Sequence, residues 1–337
     1  MNWKDKVILV TGGTGSFGKA FAKIMLDEFQ PAKVIVFSRD ELKQHEMRVA
    51  GFDHPNLRYF IGDVRDLERL KRAMQSVDIV VHAAALKQVP ACEYNPMEAV
   101  KTNILGSSNV VDAALDTGVK KVLALSTDKA VNPVNLYGAT KLAAEKLVVQ
   151  SNAYAGKYET RLSCVRYGNV VGSRGSVVPV FLRQKATNGK LTITDERMTR
   201  FWLSLEQGVR FVIKNIENMQ GGEVFVPKIP SMKVVDLAKA MAPDADLEII
   251  GIRPGEKLHE MLISRDESRT TIELDDMFVV QPAEAFWFGG RWKEKGKPVS
   301  DGFRYSSAEN PEWLDVDQIR EIVEPFEITF AQGKLTL

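Results

Sequence analysis

The chain has little that would tie it to a metal, a membrane or a nucleic acid. Cysteine occurs only twice in 337 residues, as Cys92 and Cys164. Two cysteines cannot build a disulfide framework, and without a CxxC pair they point to neither zinc nor redox chemistry, so reduced thiols are expected. Histidine is almost as scarce, with four copies. His259 is expected to cap or pack, and no metal site is expected. Lys and Arg number 45 against 44 Asp and Glu, a formal net charge of +1. No bulk field therefore favours nucleic acid or an anionic lipid surface. No apolar run approaches the roughly 20 residues a membrane helix needs. The opening "MNWKDKVILVTGG" is too short in apolar residues for a signal peptide and leads straight into glycines. A soluble, cytoplasmic protein is expected.

What is present is alternation. Short Val/Ile/Leu-rich runs at 6–10, 33–38, 57–63, 78–85 and 121–127 alternate with helical patterns at 16–28, 39–52, 65–75, 96–118 and 137–155. Nearly continuous apolar strands between helices predict an α/β fold with a doubly wound parallel sheet covered on both faces. A sixth strand is expected in "RLSCVRYGNVVG" (161–172). Beyond it the alternation turns irregular and charged. Residues 1–170 therefore read as a nucleotide-binding domain. Residues 171–337 read mainly as a smaller substrate-binding part, with 205–217 returning as a helix on the first domain and a short amphipathic helix near the end.

"VTGGTGSFG" places Gly12, Thr14, Gly15, Ser16, Phe17 and Gly18 between the first strand and its helix. Glycines there let the backbone turn tightly and approach a pyrophosphate at the helix N-terminus. The second strand ends in Ser38 and Arg39, with Lys43 a turn later. A hydroxyl and a guanidinium suit a 2′-phosphate, which favours NADP. The other reading, Asp40 on an unphosphorylated ribose, stays open here. Asp63 and Val64 end the third strand, near an adenine. Ala83 and Ala84 end the fourth, where small side chains let backbone lie against a cofactor.

Tyr137 and Lys141 stand four apart on the helix after the fifth strand, so they share a face. In that place a lysine ammonium and an oxidised nicotinamide would lower the tyrosine pKa and make the phenol a base for a substrate hydroxyl. Thr127 supplies a hydroxyl to the same oxygen. The TGGxGxxG turn, "HAAA", the Thr-Tyr-Lys trio and "YGNVVG" resemble the extended short-chain dehydrogenase/reductases. Within them, "STDKAVNPVNLYGATK", "HAAALKQVPACEYNP", "RPGEKLHE" and the tail "FRYSSAENPEWL" resemble the inverting UDP-N-acetylglucosamine 4,6-dehydratases of pseudaminic acid synthesis. The likeness covers nearly the whole chain.

The resemblance implies a lyase that oxidises C4 of the sugar, removes water across C5 and C6, and returns the hydride to C6. NADP is then regenerated in each cycle. Retaining relatives carry Asp-Glu after the threonine, whereas this chain has Asp128-Lys129. Lys129 is expected as the C5 base, its pKa brought down by burial or by the charge of Lys141 and the nicotinamide. Asp128 is expected to assist loss of water. Asn169, Arg200, Arg253 and Glu256 are implied near the UDP, with Lys87 facing the sugar. Arg174 and Thr194 complete the substrate residues. Each arginine taken singly could equally be a solvated surface charge. The family also implies a homo-oligomer built on dimers, with hexamers among relatives. A nucleotide-sugar C4-epimerase and a non-catalytic NADP-binding regulator are the alternatives. An epimerase needs no C5 base, and a regulator usually loses the Tyr or the Lys.

Overall fold

The computed structural model describes the chain apart from residues 157–158, 172–176, 188, 283–291 and 333–337. The first half runs β1 (Val7–Thr11), α1 (Ser16–Ile24), β2 (Lys33–Ser38), α2 (Glu41–Val49), β3 (Leu57–Ile61), α3 (Leu67–Ala73), β4 (Ile79–His82), α4 (Val89–Tyr94), α5 (Pro96–Ala99), α6 (Gly106–Thr117), β5 (Lys121–Thr127), α7 (Leu136–Gln150) and β6 (Arg161–Tyr167). The single helix expected over 96–118 is one helical path whose turns widen at Val100–Leu105 between α5 and α6.

The second half adds β7 (Asn169–Val170), α8 (Val177–Thr187), β8 (Lys190–Ile193), β9 (Thr199–Leu203), α9 (Leu205–Asn218), β10 (Val224–Pro227), β11 (Ser231–Lys233), α10 (Val234–Met241) and β12 (Asp246–Ile249). It closes with β13 (Met261–Ile263), β14 (Thr271–Glu273), β15 (Met277–Val280), α11 (Trp292–Lys295), β16 (Lys297–Pro298), β17 (Tyr305–Ser306) and α12 (Val316–Ala331). The last helix, expected to be short, has 16 residues.

One ten-stranded sheet dominates, in the order β16-β14-β15-β10-β6-β5-β4-β1-β2-β3. From β10 to β3 it is parallel, whereas β15, β14 and β16 join antiparallel. The parallel part is wound outward from β1 in both directions. This leaves a switch point between β1 and β4, where ligands of such sheets bind beyond the strand C-termini. The sheet reaches past residue 170, because β10 and β14 to β16 come from the second half of the chain. α9 packs against α1, β5 and β6.

Side-chain caps fix several helix entries. Asp40 accepts from Lys43 N–H to open α2, Asn135 from Gly138 N–H to open α7, and Ser204 forms a capping box with Gln207 on α9. The large core fills both faces of the sheet, with Ile8, Val36, Val80 and Leu123 from the first half and Phe225 and Val279 from the second. A smaller core holds Phe181, Trp202, Leu237, Met241 and Ile319 together, joining α8, β9, α10 and α12 into a second body of packing.

Candidate active site

A cleft of about 600 Å³ opens at the C-terminal ends of β1 to β6. At one end lies the β1–α1 turn. Gly12 has φ of +65°, and a Cβ there would sit 3.0 Å from Ala84 Cα, so this wall needs a residue without a side chain. Ala83 and Ala84 are held against the turn by a neutral network. Their N–H groups donate to Thr11 Oγ1 (3.1 and 3.2 Å), which lies 2.7 Å from His82 Nδ1. The Thr11 hydroxyl therefore gives its one proton to Nδ1, and His82 Nε2 donates to Ser107 Oγ at 3.0 Å. Burial, and then the charge of Lys141, lower His82 to about 3, so the ring stays neutral. Sequence reasoning missed His82, whose partners lie on β1 and α6.

Thr14, Gly15, Ser16, Phe17, Ser38, Arg39, Lys43, Asp63, Val64, Ala83 and Ala84 all line this end. Gly18 is buried behind it. Thr14 Oγ1 is 2.9 Å from Ser38 Oγ. Asp40 is occupied twice, as the α2 cap and in an ion pair with Lys43 at 2.7 Å. Arg39 lies 3.6 Å from Asp63. Burial pushes Asp63 up, but hydrogen bonds from Arg65 and the charge of Arg39 outweigh it and hold the carboxyl below its usual range.

The other end carries Thr127, Asp128, Lys129, Tyr137 and Lys141, all on the cleft wall. Thr127 donates to Asp128 Oδ1 at 2.9 Å, and Lys129 Nζ donates to the same oxygen at 3.0 Å. α7 brings Tyr137 alongside because Gly138 follows it: a Cβ at 138 would overlap the Lys129 carbonyl. Deeper still, Ser126 donates to Glu145 of α7 (2.7 Å), and the fully buried Arg166 of β6 pairs with Glu145 and with Glu267 (2.8 Å). This ion network joins β5, α7 and β6 to the loop beyond β13, and no local sequence pattern announces it.

The electrostatics of three groups at this end stand out. Lys141 and an oxidised nicotinamide are together expected to lower Tyr137; in the protein alone the Lys141 ammonium donates to Leu125 O at 2.7 Å. Burial raises Tyr137 to about 12, against the opposing pull of Lys129 and a hydrogen bond with Thr127. Lys129 was expected to be pulled down. Burial does lower it, but Asp128 and then Glu260 Oε1, 3.4 Å away, outweigh burial and hold it above the usual lysine range. Asp128 is raised, first by burial and with Glu260 adding to it, while Lys129 opposes.

Of the substrate residues, Lys87 and Asn169 line the cleft. Arg200 stands behind it, 3.9 Å from Glu260. Thr194, directly after β8, does not line the cleft, and its hydroxyl is at Met198 Sδ (3.2 Å). Arg253 is 61% exposed and pairs loosely with Glu256 at 4.0 Å. Their turn is tied to the start of α7, where Asn135 Nδ2 donates to Gly255 O at 2.7 Å. Arg174 lies outside the described residues. Three buried polar atoms of cleft residues, Thr102 Oγ1, Asp128 Oδ2 and Asn169 Oδ1, have no hydrogen-bond partner among the described residues. A polar ligand along the whole cleft would satisfy them. No group of metal-binding side chains occurs among the described residues, and none of their helices is long and apolar enough to cross a membrane.

A glycine turn after β1, a switch point beside it and a Tyr-x-x-x-Lys helix after β5 define an extended short-chain dehydrogenase/reductase. Residues 8–282 match the family model described as polysaccharide biosynthesis protein. The chain is 56% identical over 328 residues to the UDP-N-acetylglucosamine 4,6-dehydratase (inverting) of Campylobacter jejuni, covering 95% of this chain and 98% of that one. It is 42% identical over 327 residues to the UDP-glucose 4-epimerase of Rickettsia massiliae, covering 95% of each. The X-ray structure of Pen from Bacillus thuringiensis superimposes with a TM-score of 0.88 at 40% identity, over 97% of this chain and 100% of that one. The chain belongs to the polysaccharide biosynthesis family, among its inverting UDP-N-acetylglucosamine 4,6-dehydratases.

Proposed function

We propose that the protein is a cytoplasmic hydro-lyase that dehydrates UDP-N-acetylglucosamine with inversion at C5. The product is UDP-2-acetamido-2,6-dideoxy-β-L-arabino-hexos-4-ulose, the first intermediate toward pseudaminic acid. The observation that carries this reading is the Asp128–Lys129 hydrogen bond beside Tyr137, with the second Asp128 oxygen buried and without a hydrogen-bond partner among the described residues. Dehydration needs one proton taken from C5 and one given to the departing O6. A carboxyl and an amine sharing a hydrogen bond supply one acceptor and one donor.

NADP fits the nucleotide end. The glycine turn would hold the pyrophosphate, and Ser38, Arg39 and Lys43 the 2′-phosphate. Asp40, spent on the helix cap and on Lys43, is poorly placed to take a ribose diol instead. Bound NADP supplies a hydride acceptor for C4 and the same hydride for C6. Tyr137 takes the O4 proton, with Thr127 beside it. Lys141, anchored to Leu125 O, fixes the register of α7. Lys87 and Asn169 meet the sugar and the adjoining phosphate. Arg200, Arg253 and Glu256 are assigned to the rest of the UDP, and Arg174 and Thr194 to its surroundings.

Some relatives of this chain bear the name of an epimerase, so C4 epimerisation is the second reading. Incubation with UDP-N-acetylglucosamine in deuterium oxide, followed by NMR, separates the two. A 6-deoxy-4-keto sugar with deuterium at C5 supports dehydration. A C4 epimer that keeps O6 and its C5 proton replaces it with epimerisation.

A further inference from the structure

Glu260 closes the "RPGEKLHE" stretch, in which only Arg253 and Glu256 were given a role, and it reaches the reacting pair from the opposite half of the chain. Its backbone is fixed on both sides: its N–H donates to Ser307 Oγ at 2.9 Å, and its carbonyl accepts from Ser307 N–H at 2.9 Å. The side chain is almost wholly buried. Oε1 lies 3.4 Å from Lys129 Nζ and 3.9 Å from Arg200 Nε, and Oε2 lies 4.0 Å from Lys257 Nζ. Arg200 is itself pinned by bonds to Thr199 O (2.7 Å) and Leu258 O (3.2 Å), and Lys257 by one to Val131 O (2.5 Å). Oε2 makes no hydrogen bond within the described residues. A buried carboxylate ringed by three cations, with one oxygen lacking a hydrogen bond among the described residues, is costly to keep for packing alone.

We propose that Glu260 is a positioning residue of the dehydration, holding the Lys129 ammonium against Asp128 so that the pair starts each cycle as carboxylate and ammonium. The inference rests on the dehydratase reading above. The two forms of the pair, carboxylate with ammonium and carboxyl with amine, differ by one proton moved along the 3.0 Å hydrogen bond. In the first form the C5–H bond breaks, its proton goes to Asp128, and its electron pair becomes the C5–C6 double bond. The C6–O6 pair leaves with the oxygen, which takes a proton from Lys129 and departs as water. In the second form the same two protons move with the roles exchanged.

Glu260, 3.4 Å from the Lys129 ammonium, supports the first, although it also adds to the burial that raises Asp128. Facing Lys129 are Asp128 on its own turn, Tyr137 from α7, Lys87 from the loop after β4, Arg200 from β9, and Lys257 and Glu260 from the segment before β13. Burial pushes Glu260 up, but Lys129, Arg200 and Lys257 outweigh it and keep it ionised. Its charge then adds to that of Asp128 in retaining the lysine proton.

The test follows two steps of one turnover against pH. Reduced-nicotinamide absorbance reports the first hydride transfer, which depends on Tyr137. Deuterium entry at C5 reports the step that depends on Lys129. In Glu260→Gln, the alkaline limb of C5 exchange should move down by about one pH unit or more, while the limb of hydride transfer and the KM stay in place. Glu260→Asp should restore the original limb. Lys257→Gln, which removes a cation competing for the same carboxylate, should move it the other way and serves if the Gln variant does not fold. Unmoved limbs in these variants, or limbs of both steps moving together, overturn the proposal. Absence of dehydration by the unaltered protein would instead overturn the functional reading beneath it.

Discussion

At the nucleotide end of the cleft the wall is backbone and small side chains: the Gly12 turn, Ala83 and Ala84, and a neutral Thr11–His82–Ser107 chain behind them. At the reaction end the wall is charge: Asp128, Lys129, Glu260, Arg200 and Lys257 within a few ångströms, with Arg166 and its two glutamates beneath. The first end needs close approach to a fixed, flat ligand and achieves it by leaving atoms out. The second must hold protons at defined places while a sugar passes through three chemical states, and it does so by balancing buried charges against one another. A neutral wall tolerates change in proportion to volume. A balanced cluster responds when any one charge is removed, because the protons on those left behind are then held differently.

The largest effect expected from breaking the charged end is at Tyr137. Tyr137→Phe should cut turnover by roughly 10²–10⁴, with UDP-sugar affinity nearly unchanged, as read by steady-state kinetics and calorimetry. Arg166→Met tests the layer below. Glu145 would be left buried without its partner, and denaturant unfolding should show a loss of about 3–5 kcal/mol. Adding Glu145→Gln should recover part of that loss.

The nucleotide end should respond more mildly. Arg39→Ala should weaken NADP relative to NAD by about 1.5–3 kcal/mol, the range for a hydrogen bond to a charged group. Equal affinities for the two cofactors in the unaltered protein would remove the basis for the 2′-phosphate assignment. The smallest effect concerns acid stability. Folded His82 sits at about 3 against an ordinary 6.5, so between those values the unfolded chain binds a proton that the folded one does not. Its contribution is complete above pH 6.5 and shrinks by on the order of 1 kcal/mol per pH unit on acidification. Melting curves against pH should show this slope, and His82→Gln should flatten it.

The same contrast explains what could be read from the sequence. The glycine turn, the strand ends at Ser38 and Ala83, and Tyr137 with Lys141 are local patterns. Each sits where the alternation of strands and helices puts a strand C-terminus, so fold and cleft could be placed together. Glu260 ends the quoted "RPGEKLHE" stretch, but its role could not be read there, since nothing in a charged loop says which strand or helix the carboxylate will meet. The charge on Lys129 was misjudged for the same reason. Asp128 is its neighbour in sequence, but Glu260 reaches it only through the pairing of the segment before β13 with Ser307. Arg166 lies on a strand that reads as apolar, with Glu145 and Glu267 unmarked on either side. The antiparallel strands β14 to β16 were missed because each is only two to four residues long.

The distance along the chain between Arg166 and Glu267 has a consequence during synthesis. The two are 101 residues apart, which a ribosome spans in about 5–20 s. Over that interval Arg166 has one carboxylate instead of two. Until Val224–Pro227 emerges, β6 is also an open strand edge, of the kind that pairs with other chains. The nascent first half is therefore an aggregation-prone species whose protection arrives late. Slowing translation between codons 170 and 267 should lower the soluble yield more than slowing it before codon 120.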